Sequence, residues 1–171
     1  LAILLFLFIS DLALQWLWES DGARKQRLLA LMIYLAVLST AVHMTTFLVL
    51  PALFLLLVIA DRKLRRDWRL WVTFGVIGLI IGAVEPFLVV LGGWLLVGLA
   101  GRTVSGQPAR WRLPVVLSLT AFLGFSSQLF IPIRAAQKPA INENDPDDWK
   151  SFKNFLERKQ YGQESMVARM F

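Results

Sequence analysis

Four long apolar blocks constrain this 171-residue chain more than any other feature. They span residues 1–18, 28–60, 70–100 and 113–133 and are separated by short, basic stretches. A membrane-crossing helix needs about 20 apolar residues, because it rises about 1.5 Å per residue across a hydrocarbon core about 30 Å thick. The sequence is also 57% hydrophobic, above the about 45–50% of soluble domains. These features predict an all-α, polytopic helical membrane protein.

The two middle blocks are too long to cross a bilayer only once. Blocks 28–60 and 70–100 contain 33 and 31 residues, and straight helices of that size would be roughly 45–50 Å long. A polar run from Ser39 to Thr46 predicts a break in the first of them. Glu85-Pro86 predicts a break in the second, because proline disfavours helix at the preceding residue and lacks an amide donor. The chain is therefore expected to make about six passes in short hairpins.

The basic residues favour this count. The stretches 19–27, 61–69 and 101–112 hold three, five and three Lys or Arg, which is 11 of the 18 in the chain. Six passes place all three on one side, whereas four passes place the middle one on the other. Short loops rich in Lys and Arg stay cytoplasmic. The net charge of +6 is thus interpreted as a topology signal, with no nucleic acid as partner, and residues 134–171 are predicted to be extracytoplasmic.

Other compositional features limit the possible chemistry. The absence of Cys excludes disulfides and thiolate metal sites, and a single His with few clustered carboxylates argues against a metal site built from protein ligands alone. Gly75, Gly78, Gly82 and the Gly92-Gly93 pair are expected to allow close helix packing. Because the chain starts at Leu1 inside an apolar run, we interpret it as an internal fragment of a longer protein.

Three polar residues within the apolar blocks are candidates for function. His43 is expected at an outer helix bend, where it would either donate hydrogen bonds or carry protons in a polar cavity, or satisfy the carbonyls of a broken helix. Glu85 would serve either as a functional carboxylate near membrane depth or as a turn marker in the headgroup layer. Asp11 would either pair with a basic residue on another helix or lie near an interface.

The polar tail after the last block has its own candidate residues. Arg134, at the helix exit, would either hold a phosphate with two hydrogen bonds or extend its charge to the membrane surface. Asp145 or Asp147 is expected to cap a helix over about 148–160. Its residues Trp149, Phe152, Phe155 and Leu156 recur at spacings of three and four, which predicts an amphipathic face for the membrane surface or another domain. The chain thus divides into a transmembrane domain, 1–133, and an extracytoplasmic loop with this helix, 134–171.

Three motifs resemble one family. They are Leu38–Thr46 followed by Leu50-Pro51-Ala52-Leu53, then Ile131–Gln137, and finally Ile141–Pro146 with the spaced aromatic residues and the ending Glu157–Gly162. Over about 38–162 the chain resembles the bacterial relatives of the eukaryotic transmembrane O-mannosyltransferase that modifies plexin-type receptors, a domain family long described as of unknown function. This family is similar to the GT-C superfamily of multi-pass glycosyltransferases.

The resemblance implies an enzyme of the bacterial inner membrane that takes a sugar, mannose by the closest parallel, from a polyprenyl-phosphate carrier. The acceptor would be a protein or glycan hydroxyl on the outer face. The family's acidic motif, which would supply the general base, is absent here, so no catalytic residue is assigned, and a divalent metal has no support in the residues. By analogy, seven residues would line the donor or acceptor pocket: His43, Arg134, Asn142, Asn144, Asp145, Arg158 and Tyr161.

The residues alone also allow two other classes of function. A membrane transporter or lipid flippase would be expected to show repeated halves with helices broken at the midplane, and this chain has two bent blocks but no internal repeat. A non-catalytic membrane assembly subunit would use the amphipathic tail helix to dock a partner.

Overall fold

The protein is described here from a computed structural model, which covers residues 1–41, 49–81, 84–142 and 144–157. Every regular element within these residues is helical, so the predicted all-α class is confirmed. Two short 3-10 turns, Leu79–Ile81 and Ser127–Leu129, accompany the α-helices. The helices are α1 (Ala2–Trp18), α2 (Gly22–Ser39), α3 (Val49–Ala60), α4 (Arg62–Arg66), α5 (Trp68–Gly78), α6 (Val84–Val104), α7 (Pro108–Ser126), α8 (Phe130–Ala135) and α9 (Trp149–Leu156).

The first two helices form a hairpin closed by polar contacts. Asp21 precedes α2, and its carboxylate accepts hydrogen bonds from the amides of Ala23 and Arg24 at 3.0 and 3.1 Å. A carboxylate at this position satisfies amides that lack partners inside the helix and favours its positive end. The Lys25 ammonium lies 4.7 Å from the centre of the buried Trp16 ring. This cation–π contact joins the last turn of α1 to the first turn of α2.

Both predicted interruptions of the middle blocks occur, but one is displaced. Helix α2 ends at Ser39, as the polar run predicts, and residues 42–46 of that run lie outside the described residues. In the later block, α5 and its 3-10 turn end at Ile81, and α6 begins at Val84. The prediction of a break at Glu85-Pro86 is therefore wrong, because both residues lie in the first turn of α6. Proline is tolerated there since the first amides of a helix have no intrahelical partner.

Helices α2, α6 and α7 form the centre of the bundle. Phe87 of α6 packs on Phe125 of α7 at 5.4 Å between ring centres, and Trp94 packs on Trp111 at 5.7 Å. These pairs show that α6 and α7 are antiparallel. Helices α2 and α7 are parallel: Gly124 lies against Tyr34 and Leu38, and Gln128 donates a hydrogen bond to Thr40 at 3.0 Å.

Among the described glycines, those that permit close helix packing are not the predicted ones, and the predicted Gly82 lies outside the described residues. A Cβ atom built on Gly75, Gly78, Gly92 or Gly93 meets no other atom within 4 Å. A Cβ on Gly124 instead lies 2.7 Å from the carbonyl oxygen of Tyr34, and one on Gly98 lies 2.7 Å from a methyl of Val115. Close approach thus depends on where helices cross, and the spacing of glycines along one helix does not reveal the crossing point.

These directions give the bundle two distinct ends. The connections 19–21, 61–67 and 105–107 lie together, with the starts of α5 and α7 and the end of α6. We call this the basic end. The ends of α2 and α7, the start of α6, and α8 and α9 lie at the opposite end, which we call the tail end.

The outer surface of the described helices carries many large apolar side chains. Ile3, Val89, Leu96 and Phe130 are each at least two-thirds exposed, and contiguous apolar surface of this kind marks contact with lipid or with another protein. Among the described residues, two helical stretches are long and apolar enough to cross a membrane, Val84–Val104 and Pro108–Ala135. These two spans are weak support for membrane association, and the count of six passes is not confirmed.

Candidate functional site

The tail end concentrates polar contacts between segments that are distant in sequence. The amide of Gln128, which is 5% exposed, donates to the Thr40 hydroxyl, and that hydroxyl donates to the Val37 carbonyl at 2.7 Å. A buried amide requires such partners, because an unpaired polar group costs about 1–3 kcal/mol. The contact therefore fixes the end of α2 against the turn that leads from α7 to α8.

A second group of contacts attaches the tail helix to the start of α6. The Lys153 ammonium forms an ion pair with the Glu85 carboxylate, and the Glu157 carboxylate accepts a hydrogen bond from the Val84 amide at 3.4 Å. A carboxylate at the first amides of a helix also interacts favourably with the helix dipole. Phe152, one residue before the lysine, is 2% exposed. Two polar links and one buried ring thus hold α9 in place.

The charge of Lys153 contributes to this attachment. Its hydrogen bond to Glu85 raises the pKa of the ammonium above the ordinary 10.5, and the nearby Glu157 adds to the effect. A group whose pKa is raised by folding stabilises the folded state fully below its unfolded pKa. The contribution of the ion pair is therefore present at neutral pH and is lost as the pH rises through the raised pKa.

The start of the tail helix departs from the predicted capping. Asp148 is the N-cap, and its carboxylate accepts from the Ser151 amide at 2.7 Å. This hydrogen bond lowers the pKa of Asp148 below its ordinary 3.8. The prediction of Asp145 or Asp147 as the cap is wrong, because Pro146 and the turn around it place those residues before the helix. The predicted amphipathic face is confirmed: Phe152 is buried, Phe155 and Leu156 are half-buried, and Trp149 is half-exposed.

The predicted pocket residues fall into separate groups. The exposed Arg134 donates to the Gln137 side chain at 3.1 Å. In the following turn, the amide of Asn142 donates to the carboxylate of Asp145. Asn144 and Asp145 have φ of 62° and 40°, in the left-handed region that Asn and Asp tolerate better than most residues.

The structure joins only some of the predicted pocket residues. Asn142 and Asp145 are in contact, while no hydrogen bond among the described residues links either of them to Arg134. His43, Arg158 and Tyr161 lie outside the described residues, so their predicted roles stay predictions. Sequence reasoning missed Lys153 and Glu157 as contacts to α6. Their spacing of four residues, which places them on one face of a helix, was the available signal.

Two acidic residues in the apolar blocks have different kinds of partner, one local and one remote in sequence. The Asp11 carboxylate accepts a hydrogen bond from Gln15 at 2.7 Å, one turn later in α1. Among the described residues it forms no ion pair, so the alternative of pairing with a basic residue on another helix has no support there. Glu85 is half-exposed at the tail end and pairs with Lys153. Its position agrees with the interpretation of a carboxylate near a turn, and the structure adds the lysine partner.

The basic end contains an aromatic cluster of Trp68, Trp94, Trp111 and Arg69. Its three indoles lie 5.7–6.1 Å apart between ring centres. The Arg69 guanidinium lies 4.8 Å from the Trp111 ring and 5.5 Å from the Trp68 ring, and it pairs with Asp67 at 3.5 Å. Arg69 Nε and Trp111 Nε1 are buried nitrogens that lack hydrogen-bond partners among the described residues. The ring faces and the Asp67 carboxylate thus both stabilise the Arg69 cation.

Sites for a metal or a small polar ligand are not evident in the described parts of the chain. No group of three or more His, Asp or Glu side chains that could hold a metal ion occurs among those residues. A cavity of about 330 Å³ is an open groove between α3 and α5. Its lining is almost entirely apolar, with Pro51, Phe54, Phe74 and Ile77 among its residues. The polar chemistry of the described residues is thus concentrated at the two ends.

Comparison with protein-family models relates the first part of the chain to a known family. The family model described as "Protein O-mannosyl-transferase TMEM260 N-terminal domain" matches residues 1–66. The matched segment contains α1 to α4 and the motif Leu38–Thr46. It also includes 1–37, outside the motif-based range of 38–162, and it ends before Ile131–Gln137 and the tail motif. No curated protein and no solved structure matches the chain. The match supports the link to this O-mannosyltransferase family that the motifs predicted.

Proposed function

We propose that this chain is part of an integral membrane glycosyltransferase of the GT-C type. It transfers a sugar, mannose in the first instance, from a polyprenyl-phosphate carrier to a hydroxyl of a protein or glycan on the outer face of the membrane. The observation that carries the proposal is the match of residues 1–66 to a family named for protein O-mannosyl transfer. The helical fold with an apolar exterior supports it, because the substrate of such an enzyme is anchored in lipid.

The proposed membrane arrangement has six passes in the inner membrane of a bacterium. The basic end faces the cytoplasm and the tail end faces outward. Support comes from the directions of the helices, which bring the three basic connections to one end of the bundle. The two long apolar helices add further support, since only 22% and 33% of their most apolar windows are buried. A core helix of a soluble protein is mostly buried, whereas a lipid-facing helix is not.

In this arrangement the tail end carries the substrate pocket. Among the described residues the partner of the Arg134 side chain is the neutral Gln137, so its charge is not neutralised by a carboxylate. A guanidinium in that state can hold a donor phosphate through two parallel hydrogen bonds. Asn142, Asn144 and Asp145 form the turn that follows, and we place them on the acceptor side. His43, Arg158 and Tyr161 complete the proposed pocket.

The general base is not assigned to any residue of this chain. A general base must reach the proton of the acceptor hydroxyl and hold a free lone pair. The Glu85 carboxylate is engaged with Lys153, and Glu157 accepts from an α6 amide. Both carboxylates therefore serve the docking of α9. The base is expected to come from the acidic motif that the family carries elsewhere in its sequence.

Sugar transfer by the complete protein tests the proposal. The protein would be placed in proteoliposomes with polyprenyl-phosphate mannose and a Ser/Thr-rich acceptor peptide. Arg134→Ala is expected to lower transfer by about tenfold or more, since a lost charge-assisted hydrogen bond costs about 1.5–3 kcal/mol. Arg134→Lys should recover part of the loss. Arg27→Ala, an exposed arginine at the basic end, is the matched control and should transfer as the wild type does.

Three results would argue against the proposal or part of it. Unchanged kinetics in Arg134→Ala would remove this residue from the donor site. Loss of transfer on addition of a chelator would show that a divalent metal takes part. No transfer by the wild type, over a panel of lipid-linked sugars and acceptors, would favour a transporter, a flippase or an assembly subunit.

A further inference from the structure

Two basic stretches that are far apart in sequence meet at the aromatic cluster of the basic end. Trp68 follows the arginine-rich helix α4, and Trp111 lies in the first turn of α7. Their rings are 6.1 Å apart and nearly perpendicular. The flanking residues Arg65 and Arg66 of α4, and Arg110 and Arg112 of α7, therefore lie within a few residues of the same pair of rings, although they are far apart in sequence.

The surface around these rings carries a large positive charge on solvent-exposed side chains. Segments 61–69 and 101–112 contain eight basic residues and two acidic ones, Asp61 and Asp67, for a net charge of +6. Both aspartates serve as helix caps, since Asp61 accepts from the Leu64 amide and Asp67 from the Arg69 amide. The side chains of five arginines are exposed and have no ion-pair partner among the described residues: Arg62, Arg65, Arg66, Arg110 and Arg112.

Tryptophan side chains next to the arginines make part of this cationic surface apolar, and their contacts fix them in place. Trp68 is 55% exposed and Trp71 is 44% exposed. The Trp71 ring is held by a hydrogen bond from Nε1 to the Arg65 carbonyl at 2.9 Å. Behind them, Trp111 packs against Gly101, where an added Cβ atom would lie 2.4 Å from its ring. Indoles with one buried side and one exposed side are typical of the boundary between lipid and water.

We infer that this surface binds the phosphate headgroups of anionic phospholipids. Exposed guanidinium groups hold phosphate oxygens with two parallel hydrogen bonds, and a polybasic surface at a leaflet attracts anionic lipid. The exposed faces of Trp68 and Trp71 contact the glycerol and upper acyl region of the same lipids. The short helix α4 presents Arg62, Arg65 and Arg66 outward, while Leu64 packs toward the core.

The inference rests on the proposed membrane location but not on sugar transfer. It also differs from the use of these residues as a topology signal, because that signal counts Lys and Arg alike. Phosphate binding distinguishes arginine from lysine, because a guanidinium can make two parallel hydrogen bonds to a phosphate whereas a lysine ammonium supplies only a point charge. Replacement of arginine by lysine therefore preserves the topology signal and removes the proposed recognition.

The experiment compares lipid retention by native mass spectrometry of the full chain in detergent. Phosphatidylglycerol and phosphatidylcholine with identical acyl chains are offered to the wild type and to a quadruple variant with Arg65, Arg66, Arg110 and Arg112 each changed to Lys. The wild type is expected to retain phosphatidylglycerol about tenfold better than phosphatidylcholine. The quadruple variant should lose most of that preference. Arg24→Lys with Arg27→Lys, at the same end but away from the tryptophan cluster, should keep it.

Each other outcome overturns a stated part of the inference. Equal retention of the two lipids by the wild type would show that the surface does not select anionic headgroups. Full preference in the quadruple variant would show that positive charge alone, and not the paired guanidinium contacts, selects the lipid. Displacement of phosphatidylglycerol by millimolar inorganic phosphate would identify a general anion site instead of a lipid site. A chain that stays in aqueous solution without detergent would contradict the proposed membrane location itself. That failure is distinguishable from loss of lipid preference in a membrane-embedded chain.

Discussion

The contact of Gly124 with α2 yields the sharpest test of the bundle. A Cβ atom at this position would lie 2.7 Å from the Tyr34 carbonyl oxygen and 3.1 Å from the Leu38 amide nitrogen. Both atoms belong to the backbone, so no side-chain rotation can relieve the contact. Gly124→Ala is expected to force α2 and α7 apart. Overpacking of this kind costs about 1–3 kcal/mol, and because the neighbours are rigid we expect a cost of at least about 2 kcal/mol.

The matched control is Gly92→Ala in α6, where an added Cβ meets no atom within 4 Å. Both substitutions gain about 1 kcal/mol of helix propensity, so the difference between them isolates the steric term. With about 2 kcal/mol of steric cost, Gly124→Ala should melt about 4–8 °C below Gly92→Ala. Thermal unfolding of the full chain in detergent, followed by tryptophan fluorescence, measures this difference. Equal melting temperatures would refute the close parallel packing of α2 and α7.

Two further predictions concern the tail end. Lys153→Glu should reduce hydrogen-exchange protection of the α9 amides, because it places a carboxylate against Glu85. The double variant that also carries Glu85→Lys should restore this protection. A double variant with no more protection than the single one would contradict the pairing. A Cys at Asn144 should react with an impermeant reagent in intact cells, whereas a Cys at Arg65 should not, and the opposite pattern would reverse the proposed orientation.

The elements that the sequence predicted well depend on local signals. The apolar blocks, the end of α2 and the amphipathic face of α9 follow from composition and spacing within one segment. The displaced break before α6 shows the limit of this reasoning. Glu85-Pro86 marks a helix boundary, but proline is equally suited to the first turn of a helix. The proline thus indicates a helix boundary, but it does not show whether the helix ends before it or begins at it.

The elements that the sequence missed depend on contacts between distant segments. Glycine spacing favoured Gly75 and Gly92, whereas the close approaches occur at Gly98 and Gly124, where α6 and α2 cross α7. Asn142 and Asp145, which the family resemblance assigns to the pocket, lie in one turn and contact each other. The link from Lys153 to Glu85 joins residues 68 positions apart. Its detection required the direction of α6 relative to the tail.

The parallel pairing of α2 with α7 also constrains how the chain is made. Gln128 and Thr40 are 88 residues apart, and synthesis proceeds at about 5–20 residues per second, so roughly 4–18 s separate their emergence. During that interval the face of α2 formed by Tyr34, Val37 and Leu38 lacks the contact that Gly124 of α7 later provides. The matched segment 1–66 therefore reaches its final packing only after α7 is made. Substitutions on this face of α2 will affect biogenesis before they affect the finished protein.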